Sequence, residues 1–212
     1  MIQYILMRPI GWIALATFII LIVLGYFLFS KIQILKPSQP TIISTPSIII
    51  KEKTIVQQKN IPLAITSPVF EMNGLIPSRF TCDGENISPE LIFSNVPKGT
   101  QSFALIMEDP DVPKTVRADG MWNHWLVWNI PPQITRIKEG ETPLGIIGAN
   151  TGGKMKYAGP CPPDREHRYI FTLYALDSLL SLPNSATKEE LLQALSPHLI
   201  EQAKLIGRYN RK

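Results

Sequence analysis

The chain has 212 residues, enough for one domain and an appendage, with a formal charge of +4 and a pI of about 9.1. The basic excess sits in residues 1–61, which hold six Lys/Arg and a single acid, Glu52; 21 bases less six leaves 15, against 16 acids in the remainder. That near-neutral remainder excludes the broad positive field of a nucleic-acid-binding domain, and two cysteines with three histidines exclude a spaced zinc motif.

Residues 1–9 form a short tail containing Arg8, and residues 10–30 read as a transmembrane anchor. Ile10 to Phe29 is almost wholly apolar and, at about 20 residues, matches the hydrocarbon thickness of a bilayer. No small-x-small cleavage site closes it and no lipobox cysteine follows, so the segment is expected to stay attached as a signal anchor. Arg8 and the free amine nearly balance Lys31 and Lys36. The short tail and the bulk of chain downstream favour an extracytoplasmic domain on a single-pass anchor. Residues 31–62 form a linker with Pro37, Pro40, Pro46 and Pro62 among Ser, Thr and Gln. Its Ile48–Ile50 patch, with Ile55 and Val56, reads equally as a strand or as a membrane-surface contact.

From residue 63 to 212 short apolar runs alternate with Pro, Gly, Asn and Asp turns, which predicts a mostly β domain. Ser67–Met72 is a strand candidate ending at the turn dipeptide Asn73-Gly74. Leu91–Phe93, Ser102–Met107, Trp122–Ile130, Ile134–Ile137 and Tyr169–Leu176 follow as strands. Alternation along Trp122–Ile130 places His124, Leu126, Trp128 and Ile130 on one face. Thr187 to Glu190 fits a capping box opening a helix through Leu191, Leu192 and Leu195. Ser196-Pro197 can open a second helix, with Leu199, Ala203 and Ile206 as its apolar face, Gly207 closing it and His198 packed on it. The fold class is thus an antiparallel β domain with one or two C-terminal helices.

Three stretches look made to meet. Gly159-Pro160-Cys161-Pro162-Pro163 is a stiff loop feeding His167-Arg168-Tyr169; Asp109-Pro110-Asp111 ends one strand; Trp122-Asn123-His124-Trp125 begins another. A carboxylate on one imidazole nitrogen fixes the tautomer, leaving the other nitrogen to donate to a phosphate or carboxylate oxygen. Tyr169 and the turn N–H groups after Gly159 add donors, and Asp111 is left to meet an ammonium. Singly, each residue reads as an ordinary turn acid or core histidine; together they suggest a small anion pocket that works without chemistry or cofactor. Cys82 and Cys161 have two readings, buried thiols or, outside the cytoplasm, one disulfide. Gly148 to Lys154 matches the start of a P-loop, but Met155 stands where Ser or Thr is needed and no helix is expected after it. Asn86-Ile87-Ser88 matches a glycosylation sequon with Pro89 behind it.

These residues resemble the phosphatidylethanolamine-binding protein family, in its bacterial and archaeal Raf-kinase-inhibitor-like branch. The matching stretches are Phe80–Gly84 with Ser88-Pro89, Asp109–Pro113, Trp122–Trp125 with Asn129, Gly159–Pro163, His167–Tyr169 and Tyr174–Asp177, over roughly residues 64–209. The resemblance implies a β-sandwich-like fold and a pocket built from Asp109, Asp111, His124, His167 and Tyr169, with main-chain donors near Gly159, Pro160 and Cys161. Asp164-Arg165-Glu166 departs from the family, whose loop is richer in small residues. The leading expectation is a membrane-tethered binding module for small anionic groups, phospholipid headgroups among them. Two alternatives are an inhibitor-like module with a protease or kinase partner, and a hydrolase holding a metal on Asp109, Asp111, His124 and His167.

Overall fold

The computed structural model describes residues 61–211. The tail, the anchor at 10–30 and all but the end of the linker lie outside the described residues, as does the Ile48–Ile50 patch.

Two sheets and one helix make the domain. A three-stranded sheet is ordered β1 (Ala64–Thr66), β3 (Leu91–Ser94), β6 (Arg136–Ile137). A six-stranded sheet runs β2 (Gly74–Leu75), β9 (Leu199–Tyr209), β8 (His167–Leu176), β4 (Ser102–Asp109), β5 (Trp122–Ile130), β7 (Ile146–Ile147). Every pairing is antiparallel except β2 with β9. β8 sits between β9 and β4 and is largely buried on both faces, the continuous apolar signature of a central strand. One core lies between the sheets, where Ile65, Leu91, Phe93 and Ile137 meet Phe103, Leu105, Met107, Trp125, Phe171 and Leu173. The opposite face of the large sheet presents Ala104, Ile106, Leu126, Trp128 and Leu176 to Leu191 and Leu195 of α1 (Lys188–Leu195).

The helix begins as its sequence dictates. Glu190 N donates to Thr187 Oγ1 at 3.2 Å, and Thr187 N donates to Glu190 Oε2 at 2.7 Å. The second C-terminal helix does not form. Ser196–His198 is one 3₁₀ turn, and the chain then enters the eleven-residue strand β9. The spacing of Leu199, Ala203 and Ile206 suits a helix, but Leu205, Gly207 and Tyr209 are buried alternately, and β9 pairs with β8 from His167 to Leu176. Long-range pairing overrides local propensity here. His198 accordingly lies at the turn, its Nδ1 2.9 Å from Asp177 Oδ1, rather than packed on a helix.

Two further expectations shift. Ser67–Met72 is not a strand; the pairing segment is Ala64–Thr66 just before it. Pro68 has no N–H for a ladder, and Ser67 Oγ is spent on the Glu90 carbonyl at 2.6 Å. Simple alternation along β5 also fails, twice. Phe103 pairs with Ile130 and Leu105 with Val127; Met107 pairs with Trp125 and Glu108 with Asn123. β5 therefore carries an extra residue at each end, near Asn129 and at His124. Asn129 adopts φ 57°, which turns Ile130 into the inter-sheet core while Leu126 and Trp128 face the helix. The bulge at His124 moves that side chain to the face carrying Met107 and Tyr169. Asn129 is fixed by two hydrogen bonds with the main chain of Leu180, at 2.9 and 2.8 Å.

Candidate functional site

The end of the large sheet where β4 finishes, β5 begins and β8 begins holds a cavity of about 380 Å³. Asp109, His124, Gly159, Cys161, Asn86 and Trp122 line it, with Val112, Val116, Ala158, Cys82 and Pro163 as its apolar wall. A cavity of this size suits a small molecule that is apolar along its sides and polar at one end.

His124 is 5% exposed, and its Nδ1 lies 2.7 Å from the Ala158 carbonyl oxygen. A carbonyl only accepts, so Nδ1 carries the hydrogen and Nε2 is free of a partner among the described residues. Burial pushes the His124 pKa down; the Ala158 carbonyl and the Asp109 charge oppose that, and His167 adds to it. The ring is therefore neutral at pH 7, with a lone pair on Nε2. It stands edge-on to Tyr169, ring centroids 5.2 Å apart. The Tyr169 hydroxyl is fully buried without a hydrogen-bond partner of ordinary geometry, and burial, followed by the Asp109 charge, holds it protonated far above its usual range.

Asp109 is 3% exposed and spends both oxygens: Oδ1 accepts from Asp111 N at 2.8 Å, and Oδ2 lies 2.7 Å from His167 Nδ1. His167 is fully buried, and its Nε2 lies 2.8 Å from Asp164 Oδ1. Both ring nitrogens of His167 are thus occupied by carboxyl groups, Asp109 on one side and Asp164 on the other. The sequence reading left the second nitrogen of His167 for a ligand; here it is already taken. Asp111 is likewise not available to an ammonium. Arg168 donates to it from Nε and Nη2, both at 2.8 Å, and from its main-chain N at 3.0 Å. The Arg168 side-chain hydrogen bond, the largest cause, holds the Asp111 carboxyl down at about 2.

The glycine-proline loop serves a different purpose from the one expected. The Gly159 N–H is consumed by Asn86 Oδ1 at 2.7 Å, and Pro160 offers only its carbonyl, which accepts from Cys82 N at 3.0 Å. Cys82 and Cys161 are joined as a disulfide, Cα atoms 5.4 Å apart, in the cavity wall. The loop is thus clamped to Phe80–Asn86 by a covalent bond, one main-chain hydrogen bond and one hydrogen bond to the Asn86 side chain.

Of the eight ligand-site residues read from sequence, Asp109, His124, Gly159 and Cys161 line the cavity. His167 and Tyr169 lie behind Asp109 and His124. Asp111 and Pro160 point to other duties. The four metal candidates do not converge, because Arg168 holds Asp111 and Ala158 holds His124; no cluster of three or more His, Cys, Asp or Glu fit for a metal occurs among the described residues. Sequence reasoning missed Asn86 as a clamp. Asn86 adopts a left-handed φ of 58°, a region asparagine tolerates, but that angle is set by the fold and is not legible in the sequence. The P-loop look-alike is a closed turn: Asn150 Nδ2 donates to the Lys156 carbonyl and Lys154 N to Asn150 Oδ1.

Comparison with known proteins places the chain in a family. The family model for phosphatidylethanolamine-binding protein matches residues 66–210. A UPF0098 protein of Chlamydia pneumoniae is 48% identical over 149 residues, 70% of this chain and 99% of its own length. A UPF0098 protein of Methanothermobacter thermautotrophicus is 49% identical over 148 residues, 67% of this chain and 95% of its own. Among solved structures, a phosphatidylethanolamine-binding protein homolog of Chlamydia trachomatis superimposes with a TM-score of 0.70 at 45% identity, covering 71% of this chain and 99% of that one. Escherichia coli YbcL, a member of the mammalian branch's family, gives 0.65 at 28% identity, over 72% of this chain and 100% of that one.

Proposed function

The chain belongs to the phosphatidylethanolamine-binding protein family, and from that premise we propose that its domain is a non-catalytic binding module for small phosphate-bearing ligands, phospholipid headgroups among them. The apolar segment at residues 10–30 would hold the module at a membrane with the domain extracytoplasmic; the basic residues flanking that segment support contact with an anionic lipid surface.

One observation carries the ligand class: buried hydrogen-bonding groups without partners stand together beside the cavity. The Tyr169 hydroxyl has no partner of ordinary geometry, His124 Nε2 has none among the described residues, and the Asp109 carboxylate stands beside them. Leaving the buried Tyr169 hydroxyl unpaired costs about 1–3 kcal/mol, which a ligand oxygen would recover. A phosphate oxygen accepts from the tyrosine hydroxyl as it stands. It accepts from His124 once Nε2 takes a proton, and the groups facing that ring are the Ala158 carbonyl, Asp109, His167 and Tyr169. The His124 pKa is depressed in the free protein, so binding takes up a proton and weakens as pH rises.

The test is calorimetric titration of the full chain in detergent with phosphorylethanolamine, and co-sedimentation with phosphatidylethanolamine vesicles as a second arm. Saturable binding by wild type, lost in His124→Ala and accompanied by proton uptake, supports the reading. Binding to vesicles alone assigns the lipid as the source; binding to soluble phosphorylethanolamine as well as to vesicles assigns the phosphate headgroup itself. Absence of binding in both arms rejects the ligand class.

A further inference from the structure

Two carboxylates grip His167, and they differ in kind. Asp109 is buried and fixed at both oxygens. Asp164, on Nε2 at 2.8 Å, has a side chain 42% exposed and comes from the rim loop three residues before the imidazole. Its other oxygen pairs with Arg165 Nη1 at 2.9 Å, an arginine itself well exposed. The buried Nε2 must keep a hydrogen-bond partner, because an orphaned buried polar group is costly. An incoming oxyanion would replace one charged oxygen with another.

We propose that Asp164 is a displaceable internal occupant of an oxyanion position on His167 Nε2, which a phosphate-type ligand must vacate in order to bind fully. The proposal rests on reading the cavity as an oxyanion site, and it specifies how that site is regulated. Pro163, the residue before Asp164, lines the cavity, which brings the loop carrying Asp164 alongside it, and Asp109 on the cavity wall holds the other nitrogen of the same imidazole. The stiff Pro162-Pro163 pair holds the backbone there, leaving rotation of the Asp164 side chain as the available movement. Among the described residues no lysine or arginine lines the cavity. Release of Asp164 would free Arg165, whose Nη2 also reaches toward the Asp111 carbonyl at 3.5 Å, to face the ligand instead. The site would then gain a donor, from His167, and a cation, from Arg165, in one movement. The charged Asp164-Arg165-Glu166 stretch at the rim becomes a specificity filter: a weakly charged ligand cannot compete with a carboxylate already in place.

The experiment is phosphate titration of the full chain in detergent, comparing wild type with Asp164→Ala and Asp164→Asn, with the His167 imidazole N–H resonances followed by NMR. Asp164→Ala should bind inorganic phosphate about tenfold more tightly, the equivalent of removing one charged competitor. Asp164→Asn keeps a neutral oxygen acceptor of the same shape and should fall between the two. In wild type, saturating phosphate should move the Nε2–H signal. Unchanged affinity in both variants, with wild-type binding intact, overturns the displacement and leaves the cavity reading standing. Weaker binding in Asp164→Asn, which preserves the fold and the acceptor, makes Asp164 a positioning group and also overturns it. Absence of phosphate binding in all three chains, with Nε2–H unmoved, removes both readings together.

Discussion

Gly159 and Asn86 define each other's conformation. The Gly159 N–H donates to Asn86 Oδ1 at 2.7 Å, and a β-carbon at 159 would lie 2.6 Å from that same oxygen and against the Phe80 carbonyl. The residue that can make this bond is therefore the one without a side chain. Gly159→Ala should destabilise the domain by about 1–3 kcal/mol through overpacking. Denaturant unfolding should show a lower midpoint with the slope unchanged, and the disulfide loop should become more protease-sensitive. A midpoint equal to wild type would mean that the loop can shift at no cost.

The disulfide closes the same contact over a sequence separation of 79 residues. In the chain-entropy treatment, releasing a loop of that length costs about 4 kcal/mol. Cys82→Ser with Cys161→Ser should lose stability on that scale, and reductant should lower the wild-type melting temperature but not the variant's. Equal stability of reduced and oxidised wild type would show that the hydrogen bonds donated by Cys82 N and Gly159 N already hold the loop.

Asp111 gives an acid-range prediction. Its carboxyl titrates at about 2 in the folded chain and near the ordinary value of 3.8 when unfolded, Arg168 being the largest cause. A depressed carboxylate pKa contributes stability above the unfolded value, and that contribution is lost as pH falls from about 4 toward 2. The pair is partly open to solvent, so screening reduces the contribution to about 1 kcal/mol. Subtracting the Asp111→Asn stability curve from wild type isolates it: the difference should be flat at neutral pH and shrink over that window. A difference that stays constant to pH 2 would assign the whole effect to packing.

At α1, both arms of the capping box are made, so Thr187→Ala removes one bond and leaves the Glu190 amide unsatisfied. A loss of about 1 kcal/mol is expected in equilibrium unfolding. The loss should sit in the helix-side core, because Leu191 and Leu195 dock there; hydrogen exchange should quicken in α1 before it does in β8. The Lys188–Glu108 ion pair, which ties the first turn to β4, stays in place and bounds the effect.

By itself the sequence determined which segments become the long strands, because β4, β5 and β8 are apolar runs bounded by proline, glycine and asparagine, and those signals act over a few residues. It also determined the cap of α1 and the gathering of Asp109, His124, Gly159 and Cys161 around one cavity. What the tertiary structure decided is whatever depends on register and partner. The bulge at His124, invisible to a period-two count, turned that ring toward Tyr169. Pairing with β8 made a strand of Leu199–Tyr209 although its local spacing suits a helix. Which carboxylate meets which base was decided the same way: Arg168 took Asp111 and His167 took Asp164. Hydrogen bonds of 2.7–2.8 Å require two side chains to be brought together by folding, and residue types spaced along a chain do not specify those distances.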